Sequence, residues 1–219
     1  MKKSILICFS FIFSLLAWSQ DNVTKNDPAA TKILNGVSAK FKTYKTVQAN
    51  FSYKVENAAG KALSNQSGTI LMKGTRYKLN FNGLEVFCDG KTVWNYDKAA
   101  KEVTITNLDA SSGTITPQKL FSDFYDKDFF SLLKGESKVG SKVIQDIQMT
   151  PVDKSKSFHS VYLQVDKAAQ SLYSTKVMEK NGNRYTYTVN SMKTDVAATD
   201  GQFVFDPKKY PGVTVEDLR

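Results

Sequence analysis

The chain has a single histidine and two cysteines among its 219 residues. Any Ser-His-Asp or Cys-His arrangement would have to use His159, and no serine stands in a Gly-x-Ser-x-Gly elbow. His-Glu-x-x-His, Cys-x-x-Cys and Gly-rich phosphate loops are missing as well. The chain therefore offers no metal-ligand set, no nucleotide cradle and no catalytic apparatus, and no cofactor is expected. Long apolar runs are also absent. The stretch from Ile5 to Leu16 is too short to span a bilayer, but Lys2-Lys3 precede it and Ala17-Trp18-Ser19 follow it, as in an export signal. Residues 1–19 are thus expected to be a cleaved signal peptide, cut near Ser19/Gln20, and residues 20–219 a single domain. Cys8 lies inside the apolar stretch behind the bulky Ile7, which is the wrong place for a lipidated cysteine. Losing the two leader lysines lowers the net charge from +9 to +7. The remaining lysines are scattered and form no basic block, which excludes nucleic acid as the natural partner and leaves transient attraction to anionic membrane faces. Cys88, alone after the leader, can form no intramolecular disulfide and reads as a small buried hydrophobe.

Aromatic and alternating stretches are abundant. Tyr77, Leu79 and Phe81 alternate with Lys78, Asn80 and Asn82, so one face of that strand is apolar and the other wet. Asp89-Gly90 then separates Leu84–Cys88 from Lys91–Tyr96, a hairpin signal that predicts a type I′ turn with both central residues at positive φ. Val47 to Glu56 alternates cleanly, Leu63 to Lys73 follows, and further strands are expected at Val143–Thr150, Phe158–Val165, Leu172–Lys180, Tyr185–Val189 and Phe203–Phe205. His159 is placed on the same side as Val161, Leu163 and Val165. Ahead of the strands, Asp27-Pro28 caps a helix whose stripe is Ile33, Leu34, Val37, Phe41 and Tyr44. A second helical region is predicted from Thr116-Pro117 through Leu120, Phe121, Phe124, Phe129, Phe130, Leu132 and Leu133 to a stop at Gly135. The expectation is an α+β fold of 10–11 antiparallel strands covered on one face by the two helical segments. An export signal, no catalytic groups and an apolar face with aromatic-rich helices over it point to binding of something hydrophobic.

Asp89-Gly90-Lys91-Thr92-Val93-Trp94-Asn95-Tyr96 resembles the DGKxxWxY hairpin of the periplasmic outer-membrane lipoprotein carrier family, LolA. Thr116-Pro117, Phe203-Val204-Phe205-Asp206-Pro207 and Gly212-Val213-Thr214-Val215-Glu216-Asp217 match the same family in order and spacing. The resemblance implies an unclosed antiparallel β-barrel whose concave face is covered by an N-terminal helix and a central helical insertion. It implies a periplasmic carrier that takes the acyl chains of lipoproteins into the cavity between and shuttles them from inner to outer membrane. Its expected partners are acylated lipoproteins, an inner-membrane lipoprotein-releasing ABC transporter and an outer-membrane acceptor. The cavity would be lined by Tyr77, Leu79, Phe81, Trp94 and Tyr96 from the sheet and by Ile33, Leu34, Val37, Leu120, Phe121 and Phe124 from the helices. The family's basic lid residue falls on Lys73 or Arg76, where the usual following Pro is absent. A same-fold module for another hydrophobic ligand, such as a glycolipid shuttle or a lipoprotein-sensing regulator, stays open, as does an unrecognised envelope hydrolase.

Overall fold

The computed structural model describes residues 25–108 and 128–219. Its frame is one 12-stranded sheet, open at both ends: β1 (Val47–Glu56), β2 (Ala62–Lys73), β3 (Arg76–Phe81), β4 (Leu84–Cys88), β5 (Thr92–Asp97), β6 (Glu102–Asn107), β7 (Phe129–Val139), β8 (Lys142–Pro151), β9 (Phe158–Asp166), β10 (Ser171–Glu179), β11 (Arg184–Thr194) and β12 (Thr214–Asp217). They lie in the order β12-β6-β5-β4-β3-β2-β1-β11-β10-β9-β8-β7. Sequence neighbours pair antiparallel because their loops are too short for a crossover. The long return from β6 ends in β7 at the far edge, and β11 closes back on β1. The exception is β12, which pairs parallel with β6.

Helix α1 (Pro28–Thr43) starts where its sequence signals say, with Asp27 Oδ1 accepting from Ala29 N at 2.8 Å. Ala30, Leu34 and Val37 are buried against Phe129, Ile147, Met149, Val161 and Leu163. Phe41 and Tyr44, at the other end, pack on Val47, Ala49, Ile70, Met72 and Tyr77. One sheet face thus receives the helix along a diagonal. Burying a side chain such as Leu34 contributes about 1.5–3 kcal/mol, so this stripe does more to hold the helix than its intrinsic propensity does. The turn before α1 also covers the edge of β7: Asp27 N donates to Ser131 O, Asn26 Oδ1 accepts from Ser131 N at 2.9 Å, and Asp27 Oδ2 accepts from Leu133 N at 3.1 Å.

Several expectations are corrected. Residues 109–127 lie outside the described part, and with them Thr116, Leu120, Phe121 and Phe124, so the described residues show no central helical insertion. Phe129 to Leu133, expected to continue a helix, begin β7 instead. Phe129, Ser131 and Leu133 face the α1 core while Phe130 and Leu132 stay part-exposed. Apolar residues this dense satisfy either period, and pairing with β8 decides. Gly135 stops no helix; it takes φ 139° where the β7–β8 register shifts after Leu133, a bulge. The described residues form twelve strands. Phe203–Phe205 is no strand: a 3-10 turn (Asp200–Phe203) carries its start, and the last strand is β12. At the Asp89-Gly90 hairpin only Gly90 takes positive φ, 95°. Asp89 Oδ1 instead accepts from Lys91 N and Thr92 N, an Asx turn in place of type I′. A register shift near Ser160 turns Phe158 onto Phe129, ring centroids 6.0 Å apart, and leaves His159 exposed. The sheet is also covered on both faces, because the C-terminal segment brings Phe205, Tyr210 and Val213 over Phe87, Trp94, Tyr96 and Val103.

Candidate functional site

The register assigns the sequence-predicted residues on the described strands to a face. Tyr77 stands opposite Cys88, and Cys88 opposite Val93; this row faces α1. Leu79 and Phe81 continue it along β3, since alternate residues share a side. Trp94 and Tyr96, expected on the same wall, are one step out of phase and lie on the opposite face under the C-terminal segment. Alternation within β5 could not reveal which of its two apolar sets turns inward. On the helix side, Leu34 and Val37 are 2% and 3% exposed and are used up by the core above β7–β10, with Ile33 packed beside them. Tyr77 is nearly as buried, and burial pushes its hydroxyl up to about 12.

Beyond the reach of that core, the α1 face ends in a group of part-buried rings, of which the sequence patterns had singled out only Phe81 for the lining. Phe51 and Tyr53 on β1 meet Phe81 on β3 at centroid distances of 5.7 and 5.5 Å. Tyr53 also lies 4.8 Å from Tyr187 and stacks on Tyr185 at 6.2 Å, both on β11. These contacts follow from register: Gly68 on β2 stands opposite Phe51 on one side and Phe81 on the other, and Tyr53 is opposite Tyr187. Having no side chain, Gly68 lets rings from the two flanking strands close over it. A Cβ there would come within 2.8 Å of both Phe51 Cε1 and Asn80 O. Leu79, Val86 and Val189 extend the patch toward the covered half. Tyr187 is 37% exposed, so the rings form an accessible apolar surface with hydroxyls at its margin. Burial, then the neighbouring Tyr187 and Tyr185, raises the Tyr53 hydroxyl to about 12, so the cluster carries no charge at neutral pH.

A model of the family described as outer membrane lipoprotein carrier protein LolA matches residues 42–206. The chain belongs to the LolA family. The match begins in the last turn of α1 and ends before β12, so it contains the whole aromatic cluster. An outer-membrane lipoprotein carrier protein of Pectobacterium carotovorum is 28% identical over 198 residues, 87% of this chain and 89% of its own length. One from Serratia proteamaculans is 27% identical over 175 residues, 78% and 81% of the two chains. Among solved structures, an uncharacterized conserved protein from Thermus thermophilus superposes with a TM-score of 0.60 at 15% identity, covering 86% of this chain and 99% of that one; the likeness is one of fold.

In this LolA-family chain Lys73 and Arg76 sit on the face opposite α1, one step out of phase with Met72 and Tyr77. Their cations reach Asp200 Oδ1 at 2.9 and 2.6 Å, and Lys73 also donates to Ala198 O at 3.3 Å. Hydrogen bonds from both hold the Asp200 carboxyl below its usual range. The two basic residues expected at a lid therefore fasten the start of the C-terminal segment. Farther along the same face, Glu85 accepts from Tyr210 Oη at 2.7 Å and pairs with Lys98 at 2.7 Å. Burial alone would raise the Glu85 carboxyl, but the bonds from Lys98 and Tyr210 and the charge of Lys78 outweigh it and hold it low. Cys88 is fully buried and burial pushes its thiol up, which suits a packed hydrophobe and not a nucleophile.

Proposed function

We propose that this protein is a periplasmic carrier, exported by a leader cut near Ser19/Gln20, that binds the acyl chains of lipoproteins and moves them from inner to outer membrane. Family membership supports the cargo class, and the observation that carries the reading is the part-covered aromatic end of the α1 face. There Leu79, Phe81, Phe51, Tyr53 and Tyr187 line the sheet side, while Tyr77, Ile33, Leu34 and Val37 form the packed floor against which a chain would stop. Leu120, Phe121 and Phe124 are assigned to the opposing wall as part of the same proposal. Burying one CH₂ contributes about 0.8 kcal/mol, so an acyl chain fully covered here would contribute on the order of 10 kcal/mol. Partial cover lowers that figure, which suits a protein that must also let go. An inner-membrane ABC transporter that releases lipoproteins, and an acceptor at the outer membrane, are the handover partners this reading requires. The protein acts as a binder and not as a catalyst.

The test is uptake of a fluorescent diacylated lipopeptide by the parent and by Phe81→Glu. A carboxylate placed among these rings would lose its hydration, so uptake should fall by at least about tenfold, with the fold intact by circular dichroism. Undiminished uptake by F81E would remove the aromatic end from the lining.

A further inference from the structure

On the face turned away from α1, β7 to β11 enclose a groove of about 730 Å³, within the range of about 300–1,000 Å³ usual for small-molecule sites. Register fixes the face. Gln164 stands opposite Asp146 and Ser174, Tyr162 opposite Lys176, and Met178 opposite Arg184, each one step out of phase with the inward residues. None of the residues assigned to acyl-chain binding lines it.

Apolar groups line it: Val139 and Tyr162 are 38% and 36% exposed, and Tyr162 and Met178 stand directly beside the basic Lys176 and Arg184. Its lining cations are Lys134 on β7, Lys176 on β10 and Arg184 on β11, against a single lining carboxylate, Asp146. Asp146 already accepts from Gln164 Nε2 at 2.9 Å, and Gln164 accepts from Ser174 Oγ at 2.7 Å. Glu56, the acidic group whose titration Lys176 and Arg184 influence, is itself paired with Lys54 at 2.8 Å. Two lining atoms are left wanting: Arg184 Nε and Thr186 Oγ1 are buried and have no hydrogen-bond partner among the described residues. A buried donor without an acceptor is destabilising unless something supplies one. The Arg184 guanidinium also donates from Nη2 to Ala58 O at 3.4 Å, which steadies it.

We propose that this groove is a second binding site, for an amphiphile with a phosphate head and one apolar chain. The phosphate oxygens accept from Arg184 Nε, Thr186 Oγ1 and Lys176, a donor set of the kind guanidinium–phosphate recognition uses. The chain starts against Met178 and Tyr162, beside the head, and runs across the sheet toward Val139. An acidic peptide fits less well. Arg184, Thr186 and Lys176 stand on β10 and β11, which are paired on both sides, so a strand added at the β7 edge would not reach them.

The experiment is calorimetric titration of the purified protein with dodecyl phosphate below its micellar concentration. Dodecyl maltoside, inorganic phosphate and a short polyglutamate peptide serve as comparators. Dodecyl phosphate should bind at least about tenfold more tightly than each comparator. Arg184→Gln should weaken it about tenfold, with Thr186→Val and the surface change Lys176→Gln each weakening it severalfold at an unchanged melting temperature. Equal binding by dodecyl maltoside, by phosphate alone or by the peptide would overturn the assignment, as would parent-like affinity in R184Q and K176Q. The readout does not depend on lipopeptide uptake, so this site and the carrier reading can fail separately.

Discussion

Replacing Gly68 by alanine isolates the contact on which the aromatic end is built. Gly68 is not among the positive-φ glycines, so alanine meets no backbone strain, and by strand preference alone the change should be mildly favourable. Space decides otherwise. The new methyl would run into Phe51 Cζ and come within 2.8 Å of Phe51 Cε1 and the Asn80 carbonyl oxygen, well inside van der Waals contact, and the carbonyl cannot swing aside as a side chain can. Overpacking of this kind costs about 1–3 kcal/mol. For a domain of this size each kcal/mol lowers the melting temperature by about 2–4 °C, so G68A should melt about 2–12 °C below the parent. The cycle of G68A, Phe51→Ala and the double variant separates the two clashes. With the ring gone only the approach to Asn80 O is left, so the cost of G68A should shrink but not vanish. Denaturant and thermal unfolding of the four proteins provide the numbers. A G68A protein as stable as the parent, or strictly additive costs, would refute the claim that Gly68 exists to let Phe51 and Phe81 close over it.

Other outcomes follow from the same structure. Asp27→Ala removes both the α1 cap and a hydrogen bond to the edge of β7, and should cost about 1–2 kcal/mol in chemical denaturation. Glu85 has a depressed folded pKa, so its stabilisation is present above the unfolded carboxylate value of about 4.3 and is lost as pH falls through the folded value. Glu85→Gln should therefore unfold more readily than the parent at pH 7 and converge with it in acid, as read by urea midpoints. Asp200→Asn breaks the ion pairs with Lys73 and Arg76 at an exposed site; limited proteolysis should cut faster between residues 195 and 203 while the global melting temperature stays put.

Local chemistry made part of this legible from residues alone. Asp27-Pro28, the stripe of Leu34 and Val37, and the alternation of Val47–Glu56 and Arg76–Phe81 each carry their own signal, and the structure agrees at those places. What failed was decided between distant segments. The β5 strand offers apolar residues on both faces, and only its pairing with β4, together with the return of Phe205 and Tyr210, shows that Trp94 and Tyr96 turn away from α1. Phe129 to Leu133 satisfy a helix and a strand equally well until β8 is present to pair with them. The part played by Gly68 needed the register of three strands at once. The groove opposite α1 was invisible because Tyr162, Lys176 and Arg184 read singly as an ordinary wet face.

The bonds from Asn26 and Asp27 to β7 have a consequence for how the molecule keeps to itself. A marginal strand with unmet donors is a template for a second copy, and the first half of this one is sealed by the two residues just ahead of the helix. Trimming the chain back to Pro28 would leave the helix its apolar stripe but unseal that margin. Such a shortened protein should dimerise or precipitate through β7 before it loses its melting transition.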